Sequence, residues 1–146
     1  MPKVKLQKIE SYRFKTSEKI RVSDLNYGGH LGYDKILALI HNSRLELFKN
    51  WGVTELDLGD GKTGIVATDS IVNYLGEGFL HDTLTIEIEP VEAGSLSFRL
   101  AHNITRTSDG SPVALAEVGF IGFDYKTRSP SRLPKMFCDF LKNSES

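Results

Sequence analysis

Few stretches of this chain combine chemically able side chains with the freedom to present them. The first is Ser23-Asp24-Leu25-Asn26-Tyr27-Gly28-Gly29-His30-Leu31-Gly32-Tyr33-Asp34, a polar loop with three glycines that leads into a helical pattern. Glycines let backbone N–H groups approach a ligand, and a helix N-terminus favours negative charge. Amides near Gly32 and Tyr33 are therefore placed to polarise a carbonyl oxygen that becomes an oxyanion. The same glycines also suit an ordinary strand-to-helix turn. Asp24 reads best as a carboxylate that accepts loop N–H groups and fixes the turn. Glu77 lies in a Gly-Glu-Gly turn three residues after Tyr74, and Asp69 interrupts the β-branched run IVATDSIV. Glu77 fits a solvated turn as well as a reactive carboxylate, and His30 fits a helix-capping or solvent-facing loop histidine. Asp69 faces either the helix or a second copy and ranks behind Glu77. Arg44 sits among apolar helix positions and needs a buried or half-buried acceptor.

Other signals fail on inspection. GDGKTG at 59–64 ends like a phosphate loop, but the required first glycine is Leu56. Asp57 to Gly61 lacks the second ligand and closing glutamate of a calcium loop. There is no serine in a G-x-S-x-G elbow. His41, His81 and His102 are dispersed without a zinc spacing, so no metal is expected. Cys138 has no histidine or basic neighbour to favour the thiolate.

The elements that position these residues follow from periodicity. Residues 8–23 carry Ile9, Tyr12, Phe14, Ile20 and Val22 among polar residues, which predicts one or two strand segments interrupted near Thr16–Glu18. From Tyr33 to Trp51 apolar residues recur at spacings of three and four, the mark of a helix, and Gly52 suits its left-handed end. Leu39 and Leu45 widen the apolar surface of that helix. Strands are then expected at 64–75, 83–91, 95–107 and 112–125, with turns at Glu77–Gly78, Ala93–Gly94 and Ser108–Gly110. Met136, Phe137, Phe140 and Leu141 predict a short final helix after Pro134. Short turns favour antiparallel neighbours, and one long helix must cover the large sheet. The expected fold is α+β, a central helix wrapped by an antiparallel sheet of five to six strands, in a single domain over 1–146.

The segment IRVSDLNYGGHLGYDKILALIHNSRLELFKNWG at 20–52 resembles the first strand, loop and helix of hotdog-fold acyl-CoA thioesterases. The relatives are those of the 4-hydroxybenzoyl-CoA thioesterase type and the plant acyl-carrier-protein thioesterases. Asp24-Leu25-Asn26 matches their D-x-D or D-x-N, followed by Gly28-Gly29 and by Arg44 in the helix. GIVATDSIVNYLGEGFLHDTLTIEIEP at 64–90 is similar to their second and third strands, and the likeness spans roughly residues 9–134. The resemblance implies hydrolysis of an acyl-CoA or acyl-carrier-protein thioester without a cofactor. Asn26 stands where many relatives carry the catalytic carboxylate, and an amide cannot act as base. The resemblance to the plant enzymes implies Glu77 as base or nucleophile, with His30 in its hydrogen-bond network and Asn26 orienting water. Gly28 replaces their intervening asparagine. Gly32, Tyr33, Asp24 and Asp69 complete the candidate substrate contacts. Lys126, Arg128 and Arg132 are candidates for the CoA phosphates, or a solvated basic turn. The family implies a homodimer or homotetramer with sites at the interface. The other open readings are a non-catalytic acyl-CoA binder and, last, a dehydratase, whose Y…G-D-x-N-P-x-H signature is absent.

Composition agrees with a soluble globular protein and argues against other classes. Of 146 residues 40% are hydrophobic and 25% charged, and the net charge is −1. Mixed charges give no electrostatic footprint for nucleic acid or an anionic membrane. One cysteine forms no intrachain disulfide. The polar, alternating start and the lack of any run of roughly 18 apolar residues point to a cytoplasmic protein with no membrane span.

Overall fold

The computed structural model describes residues 1–143. Strand β1 spans Phe14–Lys19, helix α1 Ile36–Trp51, and strands β2 to β5 span Thr63–Tyr74, Thr83–Val91, Ser97–Arg106 and Pro112–Asp124. A two-residue strand β6, Ser129–Pro130, and helix α2, Lys135–Lys142, close the chain. The sheet is antiparallel throughout, in the order β1-β3-β4-β5-β2, with β6 added to the end of β5. Both expected helices and all four later strands form, and the architecture is α+β with one long helix packed on the sheet.

Alternation explains the core. Leu84, Ile86 and Ile88 of β3 and Phe98, Leu100 and Ile104 of β4 share the inner face and are fully buried. Ala114, Ala116, Val118 and Phe120 continue that face on β5. Ile36, Leu39, Ile40, Leu47 and Phe48 of α1 bury against it. Leu45, expected to add to this surface, is 45% exposed. Gly52 adopts φ 76° and its N–H reaches the carbonyls of Lys49 and Phe48, a left-handed cap that only glycine forms without strain. Phe137 of α2 meets Phe48, Trp51 and Phe98 edge-on, and Phe140 stacks on Trp51, sealing the end of α1 remote from its N-terminus.

Two expectations are corrected. β1 runs unbroken through Thr16–Glu18, in register with Leu84–Ile86 of β3. The polar residues there reflect an edge strand whose side chains alternate outward. Residues 8–13 form no strand. The segment leading to β1 crosses the outer sheet face, where Asn73 of β2 accepts the Leu6 N–H at 2.6 Å and donates to the Val4 carbonyl at 3.0 Å. Leu96 lies outside β4 and is 39% exposed.

Candidate active site

The loop from β1 to α1 is folded by its own short-range bonds. Asp24 accepts the Arg21 N–H on Oδ2 at 2.8 Å, so its carboxylate fixes the first turn. The Asn26 N–H donates to the His30 carbonyl at 2.8 Å, and Gly29, at φ 83°, makes the reversal between them. Asn26 Oδ1 accepts the His30 N–H at 3.3 Å, which commits that oxygen and leaves Nδ2 as the free donor. Leu25 and Leu31 then pair as an antiparallel bridge.

This folded loop docks on the turn after β2. The Leu31 N–H donates to the Gly78 carbonyl at 2.8 Å. Gly76 is required by close approach, since a Cβ would lie 2.3 Å from the Pro112 carbonyl oxygen, and at Gly78 a Cβ would press only on the side-chain end Ile20 Cδ1, at 2.6 Å. Glu77 is thus held on a backbone pressed against β5 and the loop, with its own side chain exposed.

A cavity of about 350 Å³ results, and it gathers Asn26, His30, Tyr33 and Glu77. Leu31, Ile36 and Val113 supply an apolar floor, and Tyr74 a wall. Tyr74 and Tyr33 meet edge to face at 6.3 Å, and the Tyr74 hydroxyl donates to the Tyr33 carbonyl at 3.2 Å. Burial, then the neighbouring Tyr33 and Asp34, push the Tyr74 phenol above its ordinary value, so it remains a donor. Neither Asn26, His30 nor Glu77 bonds to another of the three side chains, and the Glu77 carboxylate has no hydrogen-bond partner among the described residues.

The other candidates fall differently. The Gly32 N–H is spent on the Asp24 carbonyl at 2.9 Å and faces no ligand. That corrects one of the two expected carbonyl-polarising amides. The Tyr33 N–H, at the start of the single 3-10 turn that leads into α1, has no acceptor among the described residues. Asp69 is not part of the cavity. It sits on the outer face beside a bulge at Thr68, and both its oxygens accept from Arg99, at 2.9 and 2.7 Å. Those bonds, with one from Thr68, hold its carboxyl well below the usual range, at about 2. A carboxylate so engaged contacts no substrate in this cavity. Lys126, Arg128 and Arg132 lie by the β5–β6 turn, where Asp124 pairs with Thr63, at the end of β2 opposite Tyr74. Arg128 is stacked over Phe123 and Tyr125 there.

Arg44 has the acceptor its position demanded: Nε donates to Glu55 at 2.5 Å, and the guanidinium lies 4.7 Å over the Phe120 ring. Glu55 drew no attention in the sequence, because its partners His41 and Arg44 precede it across the end of α1 and only the folded chain joins them.

Residues 20–141 match the Thioesterase-like superfamily, and the chain belongs to it. Solved structures share the fold. A 1,4-dihydroxy-2-naphthoyl-CoA thioesterase from Synechocystis superposes with a TM-score of 0.80 at 12% identity, covering 88% of this chain and 94% of that one. The probable thioesterase YbaW from Escherichia coli gives 0.74 at 23% identity, over 88% and 96%. A hypothetical protein from Aquifex aeolicus gives 0.80 at 15%, over 88% and 99%. The comparison with curated proteins found no match.

Proposed function

We propose that the chain hydrolyses a thioester of coenzyme A or an acyl-carrier protein to a carboxylic acid and a free thiol. The observation that carries this reading is the convergence of Asn26, His30, Tyr33 and Glu77 on one cavity at the start of α1. Family membership supports it, as do structural neighbours named for CoA thioesters.

In this mechanism the thioester carbonyl lies against the Tyr33 N–H, where the helix dipole favours the developing negative charge. Asn26 Nδ2 orients the carbonyl or the water. Glu77 takes a proton from that water as its oxygen bonds to the carbonyl carbon. The tetrahedral oxyanion then collapses, the C–S bond breaks, and the proton passes from Glu77 to the departing thiolate. Direct attack by Glu77, through an anhydride that water then opens, uses the same geometry. His30 adjusts the field beside Glu77.

Two copies would pair along β2, whose residues Ala67–Ser70 are exposed at the edge of the sheet. A homodimer built this way, or a tetramer of two such dimers, is the assembly we propose, in the cytoplasm and without cofactor. Among the described residues no helix is long and apolar enough to cross a membrane.

Asn26 favours a second reading, an acyl-CoA binder without turnover, because relatives often carry a carboxylate at that position. Thiol release from short, long and aromatic acyl-CoAs, with wild type beside Glu77→Gln, separates the two. Turnover that collapses in the variant supports the hydrolase and its base. Turnover that survives removes Glu77 from the mechanism. A raised melting temperature without turnover leaves the binder.

A further inference from the structure

The seam between α1 and β2 continues past the Tyr33–Tyr74 pair. Leu37 lies one helical turn beyond Tyr33, and Ser70 shares the inner face of β2 with Tyr74, since they pair with Val118 and Ala114. Leu37 and Ser70 line a second cavity of about 350 Å³, with an apolar floor of Leu37, Ile40, Ala67 and Val118.

The far end of this cavity is polar, and its two polar side chains are held from behind. Glu55 Oε2 accepts Arg44 Nε at 2.5 Å, and Oε1 lies 2.9 Å from His41 Nε2. One carboxylate therefore orients both side chains while itself turned away. The terminal guanidinium N–H groups of Arg44 have no acceptor among the described residues; because a carboxylate only accepts, His41 carries its proton on Nε2 and turns Nδ1 to the cavity as an acceptor. Asp69 borders it as well, but its carboxylate is bound to Arg99 on the outer face and does not compete. An apolar trough that ends in a pre-oriented donor, Arg44, beside a pre-oriented acceptor, His41 Nδ1, fits a chain with a hydroxyl at its tip.

Resting on the hydrolase reading above, we infer that this second cavity seats the acyl tail and selects tails that end in a hydroxyl, which accepts from Arg44 and donates to His41 Nδ1. Length follows from the helix. Tyr33 and His41 are eight residues apart, about 12 Å at 1.5 Å per residue. An extended chain advances about 1.2 Å per bond, so a tail of roughly eight to ten carbons spans it.

The test uses octanoyl-CoA, 8-hydroxyoctanoyl-CoA and octanedioyl-CoA with wild type and His41→Leu, a half-exposed position whose replacement leaves the core intact. Both kcat/KM and the dissociation constant are measured, the latter also on Glu77→Gln. 8-Hydroxyoctanoyl is expected to exceed octanoyl by about tenfold or more on either scale, and His41→Leu to bring that ratio within about twofold. An equal or larger gain for octanedioyl overturns the hydroxyl assignment. Three substrates within about twofold of one another in wild type overturn the inference, as does a preference that survives His41→Leu. Binding that shows the preference without any hydrolysis keeps the tail site and removes the thioesterase reading.

Discussion

The two faces of the sheet treat their polar side chains in opposite ways. On the outer face they are paired. Arg13 bonds Glu89, Arg99 joins Asp69 to Glu117 across three strands, Asn103 holds Glu87, and Asn73 clamps the N-terminal segment. On the inner side, at the seam of α1 and β2, Glu77, the Tyr33 N–H and Asn26 Nδ2 stand at a cavity with no partner among the described residues. A polar group already matched in charge and geometry gains little from a ligand. One left free beside an apolar pocket is available for it. The contrast separates Asp69 from Glu77 although sequence presents both as lone carboxylates in β-rich stretches.

The largest effect should come from the unpaired side. Glu77→Gln keeps the size of the side chain and removes its basicity. Loss of a general base lowers kcat by about 10²–10⁴-fold, roughly 3–5 kcal/mol of barrier. Because the Glu77 side chain is exposed, the melting temperature should stay at the wild-type value. A variant that loses activity and stability together would place Glu77 with the structural group instead.

His102 sharpens the comparison, being polar, inward-facing and sealed. It is 1% exposed, and neither ring nitrogen has a hydrogen-bond partner among the described residues. Burial pushes its pKa down from 6.5 to about 4, opposed by a backbone contact with Ala116 too poorly aligned to count as a hydrogen bond and aided by the charge of Arg44. The folded protein therefore holds it neutral, while the unfolded chain takes up a proton below about pH 6.5. Stability attributable to this group falls as pH drops from about 6.5 to about 4, by roughly 3 kcal/mol in all. Urea unfolding of wild type at pH 7 and pH 4.5 should show this loss, and His102→Leu should flatten it. An equal slope in both proteins would mean that other groups set the acid response.

Much of the frame was legible because it is periodic. The spacing from Tyr33 to Trp51 and the alternation through Leu84, Ile86 and Ile88 report burial directly, and Gly52 and Gly110 mark reversals at positive φ. β1 was blurred because its residues Thr16–Glu18 belong to an edge, where polarity is no sign of a break. Strand order was not legible: β1 pairs with β3 and β2 with β5, and no local pattern encodes so distant a partner, Ala114 for Tyr74 or Ile88 for Phe14. The candidate site was reached through resemblance more than pattern. Asn26 and Glu77 become neighbours only through the bond from Leu31 to Gly78, and Glu55 reaches Arg44 only after α1 has ended. Pairing that removes a carboxylate from contention, as Arg99 does for Asp69, leaves no trace in the spacing of the two.

The outer face can be broken at one atom. The Arg99 side chain reaches Asp69 by passing over Gly119, where a Cβ would lie 2.3 Å from Arg99 Nη1 and 2.5 Å from Asp69 Oδ1. Gly119→Val should displace both partners, which are the movable ends of surface side chains, and destabilise the fold by no more than about 1 kcal/mol, the scale of an exposed ion pair. Denaturant midpoints measure this, and kcat per folded molecule should remain near wild type, since the cavity at Glu77 lies at the other end of β2. A wild-type midpoint would show that the Arg99 arrangement contributes nothing to the fold.

Asp69→Asn makes the mildest change and the most direct comparison with Glu77→Gln. Hydrogen bonding to Arg99 depresses the Asp69 carboxyl to about 2, so the pair is intact at any pH above about 4 and is lost only as pH falls through about 2. The amide keeps one acceptor for Arg99 and removes the charge. Turnover at neutral pH should stay within about twofold of wild type, as expected for a surface substitution away from the reacting atoms. The two amide variants measured side by side give the contrast its sharpest form, because each removes one charge from a carboxylate of the same strand region. Loss in both would mean that Asp69 leaves Arg99 to meet the substrate, and the paired state would then be a resting position of a working residue.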